Sequence, residues 1–95
     1  MSITKMNIEG VDCEVITTKT EHSTIFLIKG KNGVLGCGYF NLEAANTFGD
    51  AFVIITGATN LDEMLNFPIS HMSEKAKTMG VTDRMTGKLA LVKMG

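Results

Sequence analysis

The stretch VLGCGYFNLEAANTFGDAFVIIT, residues 34–56, decides how this chain is read. It opens on an apolar run, Val34–Phe40, in which Gly36 and Gly38 flank a thiol, Cys37. Asn41 follows, and its side-chain oxygen can accept a backbone N–H where a helix begins. Glu43 then suits the positive end of a helix dipole. The spacing predicts a helix over Leu42–Phe48, closed by Gly49 in the left-handed position past a helix end. Ala51–Thr56 is apolar without a break, as a strand covered on both faces must be. Strand, helix, strand makes this a βαβ-like unit.

Toward the N-terminus the pattern is all β. Ile3–Glu9 ends at Gly10, and Val11–Lys19 alternates Val11, Cys13 and Val15 against Asp12 and Glu14. After a turn at Thr20-Glu21-His22 comes a strand over Ser23–Gly30. Asn32-Gly33 predicts a tight type I′ hairpin leading back into Val34. Toward the C-terminus, Asn60 and Glu63 have capping-box spacing for a short helix over Leu61–Asn66. Pro68 stops it and opens a short edge strand through Ile69 and His71. Ser73 caps a helix ending at Gly80, and Thr86 caps a last helix through Met94, although Leu89-Ala90-Leu91-Val92 also fits a strand. The fold class is therefore α+β in one domain of 95 residues: an N-terminal antiparallel β-sheet of hairpins over residues 1–40, then alternating β/α elements over 41–95. Together they form a mixed sheet with three or four short helices.

Composition narrows the partners. Net charge is −1 and Arg84 is the only arginine, so no basic face for nucleic acid is expected. The apolar runs Ile25–Ile28 and Ala51–Ile55 are too short to cross a bilayer, and no signal peptide is legible. Cys13 and Cys37 make neither a disulfide framework nor a zinc motif, which fits a cytoplasmic protein with free thiols. The charge is uneven: residues 1–71 carry four Lys against eight Asp/Glu, and residues 72–95 carry five Lys/Arg against two acidic residues. A solvated helical surface explains that pattern, and so does a contact between subunits.

Ile25, Phe26, Leu27 and Ile28 argue for assembly. Side chains of a strand alternate between faces, so this run is apolar on both. A chain with all its helices in the second half has little left to cover the other face, unless the last helix packs there. Burying roughly 200–300 Å² more apolar surface per subunit would stabilise by about 5–8 kcal/mol. These four residues are therefore expected at a homo-oligomer interface.

Gly36-Cys37-Gly38-Tyr39-Phe40-Asn41, Ala44, Gly49-Asp50-Ala51, Thr56-Gly57 and Glu63-Met64-Leu65 together resemble the YunC-like family, a domain of unknown function found in bacteria and archaea. Ser73, Ala76, Gly80, Met85-Thr86-Gly87 and Leu89 extend the likeness, which runs from about Met6 onward; Asn66-Phe67-Pro68 departs from it. The resemblance implies an N-terminal β-sheet region used for tetramerisation. It implies no catalytic residue, because the family has none assigned.

The chemistry is sparse. Gly36, Gly38 and Asn41 form G-x-G-x-x-N, which lacks the third glycine of a dinucleotide fingerprint. A backbone cradle for a phosphate or carboxylate at that junction is the weaker version. Cys37 is a candidate nucleophile with His71 as candidate base; a buried structural thiol is the plainer reading. His22 and His71 are far apart, and no spacing suits a metal, so no metal or cofactor is expected. Asp62 and Glu63 are adjacent on a helix and do not share a face. The seven methionines suit core filling. The sequence thus favours a non-catalytic binding or assembly module. The alternative is a small cysteine-dependent enzyme or anion binder centred on Gly36-Cys37-Gly38.

Overall fold

The computed structural model describes residues 1–95. Strands β1 (Ser2–Ile8), β2 (Val11–Lys19), β3 (Thr24–Lys29) and β4 (Val34–Cys37) come first. Then follow α1 (Glu43–Phe48), β5 (Phe52–Ile55), α2 (Leu61–Asn66), β6 (His71–Met72), α3 (Glu74–Thr78) and α4 (Gly87–Met94). The six strands lie side by side in chain order, all antiparallel except β4 and β5. The mixed α+β sheet read from the sequence is the observed architecture. The last segment is a helix: Thr86 Oγ1 accepts the Leu89 N–H, and Ala90, Leu91 and Met94 fall on one buried face.

The register sorts every strand residue onto one of two faces. Ile8, Val11, Cys13, Val15, Phe26, Ile28, Leu35, Cys37, Val53 and Ile55 face the helices, where they pack with Met64 of α2, Ala76 of α3 and Ala90, Leu91 and Met94 of α4. The opposite face carries one straight row across the whole sheet: Ile3, Ile16, Leu27, Gly36, Ile54 and His71. A second row beside it reads Lys5, Glu14, Lys29, Val34 and Phe52.

Two details of the hairpins differ from the sequence reading. Neither Asn32 nor Gly33 has positive φ, so no type I′ turn forms there. A four-residue connection joins β3 to β4, held by the Gly30 N–H on the Gly33 carbonyl at 2.8 Å. Gly33 is small for another reason: a Cβ there would stand 2.5 Å from the Met94 Cβ, so α4 rests directly on the turn. The two-residue turn with both φ positive is Glu9-Gly10, at 51° and 89°, which sets Ile8 opposite Val11. The strand expected through Ile69 and His71 begins later, at His71, because Pro68 and Ile69 bond instead toward the α4 entry at Met85 and Thr86. Likewise β4 stops at Cys37, where the Phe40 N–H turns back to the Cys37 carbonyl at 3.2 Å.

The expected interface quartet splits in two. Phe26 and Ile28 belong to the helix-covered core and are not available to a partner. Ile25 and Leu27 are half-buried, with Leu27 in the row on the face opposite the core. The alternation of the strand divides what looked like one patch.

Candidate functional site

The parallel pair ends together, at Cys37 and Ile55. Beyond that point the two chains part to opposite faces. After β4 the chain crosses the Gly36 face, where a Cβ on Gly36 would stand 2.9 Å from the Phe40 ring and 2.7 Å from the Phe52 ring. After β5 it turns through Gly57, at φ 81°, toward α2, whose Met64 is in the helix-side core. Such divergence opens a crevice at the carboxyl ends of the strands, the usual ligand position in sheets with parallel strands.

On the helix side that crevice is a cavity of about 280 Å³ lined by Ser23, Thr24, Cys37, Gly38, Tyr39, Gly57, Ala58 and Thr59. The N–H groups of Tyr39, Gly57 and Ala58 have no backbone partner. The Tyr39 hydroxyl shares a hydrogen bond of 3.2 Å with the Thr20 hydroxyl. Thr59 gives its O–H and N–H to Glu63 Oε1, at 2.6 and 2.7 Å, and these bonds hold the Glu63 carboxyl below the usual glutamate range.

The residues singled out in the sequence are only partly united. Cys37 is 4% exposed, and its sulfur accepts the Phe26 N–H at 3.4 Å. His71 lies on the opposite face of the sheet, opposite Ile54, in a separate hollow of about 340 Å³ with Gly38, Phe40, Asn41, Leu42 and Thr56. The sheet itself therefore separates Cys37 from its candidate base. His22 is a solvent-exposed side chain whose Nε2 is 3.9 Å from Glu21. Gly36 does not open a cradle, because the rings of Phe40 and Phe52, 5.7 Å apart, occupy the space. Asn41 does not cap α1 in the expected register: Leu42 is the N-cap, and the Asn41 carboxamide oxygen accepts the Glu43 N–H at 3.0 Å. That bond uses a donor an anion would have needed.

Other polar contacts join segments that are distant in the chain. Ser73 caps α3 as expected, accepting the Ala76 N–H, and is wholly buried. The same hydroxyl accepts the Phe52 N–H at 2.9 Å and donates to the Asp50 carbonyl at 2.8 Å, tying α3 to the start of β5. Ser23 and Thr24, at the start of β3, and Thr59, between β5 and α2, enter the cavity from two segments far apart in the chain, and no local pattern marks them. Cys13 is a second buried thiol; burial, with Asp12 beside it, raises its pKa. No three of the His, Cys, Asp and Glu side chains come together in a group fit to hold a metal ion.

Residues 36–94, from the end of β4 through α4, match the model of a family described as a domain of unknown function, DUF1805. The chain belongs to this family. Among its relatives it is 24% identical over 98 residues to the uncharacterized protein YunC of Bacillus subtilis (strain 168), covering 99% of this chain and 97% of that one. Its fold is similar to the crystal structure of a protein of unknown function, TA1206, from Thermoplasma acidophilum. The TM-score is 0.91 at 28% identity, over 99% of this chain and 92% of that one. The DUF1805 match begins at Gly36 and so takes in the crevice loops, whereas β1, β2 and β3 lie before it.

Proposed function

We propose that this DUF1805 chain is a non-catalytic assembly module that associates with copies of itself through the uncovered face of its N-terminal sheet. One observation carries the reading. Ile3, Ile16 and Leu27 stand in register on the face opposite the helix layer, and Ile3 is 54% exposed. Beside them Lys5, Glu14 and Lys29 alternate in sign, so a two-fold related copy can set unlike charges together. Neither nucleic acid nor membrane is a partner in this reading, and two buried free thiols suit the reducing cytoplasm. Light scattering at micromolar concentration tests it. A mass above that of one chain is expected, with loss of assembly in Ile16→Glu; a wild-type monomer overturns the proposal.

A second reading concerns the crevice. The unpartnered N–H groups of Tyr39, Gly57 and Ala58 and the hydroxyls of Ser23 and Thr24 suit a small oxygen-rich ligand. An NMR titration with inorganic phosphate, small carboxylates and nucleotides should shift the amides of Gly38, Tyr39, Gly57 and Ala58. If those amides do not move with any of these ligands, the crevice is only a seam between two loops. A cysteine-dependent enzyme is the weaker form of this reading, since His71, the candidate base, lies on the other face of the sheet from Cys37.

A further inference from the structure

The crevice where β4 and β5 part has two walls, each tied down by hydrogen bonds. On one side the turn before β3 closes on itself. The Thr20 N–H reaches the Ser23 carbonyl at 2.9 Å, and the Thr20 hydroxyl accepts the Ser23 N–H at 2.8 Å. The same hydroxyl meets that of Tyr39 at 3.2 Å, which joins the turn to the loop after β4. These bonds use the backbone of Ser23 and leave its hydroxyl for the cavity. Thr24 stands two residues before Phe26, a core residue, so it enters from the same helix-side face. On the other side Thr59 fastens the segment after β5, because both its donors go to Glu63 Oε1. Gly57, at φ 81°, and Ala58 then present consecutive free N–H groups, an arrangement that suits a carboxylate. Charge and size narrow the ligand further. None of the eight lining residues carries a charge. Glu63 is ionised at neutral pH, since its bonds from Thr59 hold its carboxyl below the usual glutamate range. The free donors call for an oxygen anion, yet no lysine or arginine lines the cavity to offset a net negative ligand, and Glu63 repels one. A ligand that carries its own cation meets both conditions. The volume, about 280 Å³, lies under the roughly 300–1,000 Å³ of drug-sized sites, which suits a molecule of a few carbons.

We propose that the crevice binds a small α-amino acid as its zwitterion. The proposal rests on the crevice reading above and narrows its ligand class. The carboxylate takes the N–H groups of Tyr39, Gly57 and Ala58. The ammonium donates to the hydroxyl oxygens of Ser23 and Thr24 and supplies the positive charge that the lining lacks. Both walls are held in place before the ligand arrives, so little ordering is left to oppose binding.

Amide spectra of the wild-type chain, titrated with glycine, L-alanine and L-serine, test this against acetate, inorganic phosphate and a nucleoside monophosphate. The Tyr39, Gly57 and Ala58 amides should move with at least one amino acid at a lower concentration than with any of the other compounds. If acetate, phosphate or the nucleotide moves them as readily, the zwitterion is overturned and the crevice reading stands. If nothing moves them, both fall. Glu63→Gln removes the charge while keeping an oxygen for the Thr59 donors, so the preference for an amino acid over acetate should narrow. A preference that stays the same overturns the proposal. Ser23→Ala combined with Thr24→Val, its fold checked by circular dichroism, should weaken the amino acid about tenfold. Unchanged affinity in that variant places the ligand elsewhere and overturns the proposal as well.

Discussion

Gly36 shows why a glycine between strand and helix need not signal a ligand. Its missing side chain is replaced by the rings of Phe40 and Phe52, which leave no room for a methyl group. Gly36→Ala should therefore destabilise by about 1–3 kcal/mol through overpacking, read from urea unfolding. A neutral result would mean that the space is open and the backbone free to meet something else. Cys37 is the other half of that motif. Buried and already accepting the Phe26 N–H, it should lose mainly packing on Cys37→Ala, about 1–2 kcal/mol, and the native thiol should resist alkylation until the protein unfolds. Glu63 supplies the pH-dependent term. Its folded pKa lies below its unfolded one, so its contribution is present at neutral pH and is lost as acid carries the protein down through the lowered folded value. A carbon-detected titration should show a Glu63 midpoint below that of ordinary glutamates, and Thr59→Val should raise it part of the way, since the residue 59 N–H still donates to the carboxylate. The presence of these three residues was plain in the sequence. Their neighbours were not, because each contact comes from a segment that the sheet brings alongside.

Helix ends were the most legible elements, since a cap is a local event within four residues. Asn60, Ser73 and Thr86 all accept the N–H three residues on, as their spacing implied. They are not equal in consequence. Thr86→Ala should cost about 1 kcal/mol, an ordinary cap. Ser73→Ala should cost clearly more, since it also leaves the Phe52 N–H and the Asp50 carbonyl without the partner they share. Equal effects in matched unfolding curves would mean that the Ser73 link to β5 does not bear on stability. Turns were less legible. Asn32-Gly33 had the right residues for a type I′ turn, yet the packing of Met94 against Gly33 fixed a longer connection, while Glu9-Gly10 took up the positive φ pair. Turn propensity is worth little beside a helix that must lie on the same spot.

For the molecule as a whole, the sheet is a partition. It puts Cys37 and His71 on opposite sides, sends Phe26 and Ile28 into the core, and leaves Ile3 exposed with Ile16 and Leu27 half-buried on the other face. If copies associate through that open face, stability is linked to mass action, and the melting temperature should rise with protein concentration over the micromolar range. A melting temperature that is flat with concentration would argue against assembly. The sequence by itself determined what depends on short range: the α+β class, the strand and helix periods, the caps, and the two-sided apolar strand that must find cover. Only the tertiary structure decided which face each residue joins, which glycine meets which ring, and where β4 and β5 part to form a crevice. Those outcomes hang on register, and a shift of one residue exchanges the two faces of a strand; no local pattern states the register of strands paired across the chain.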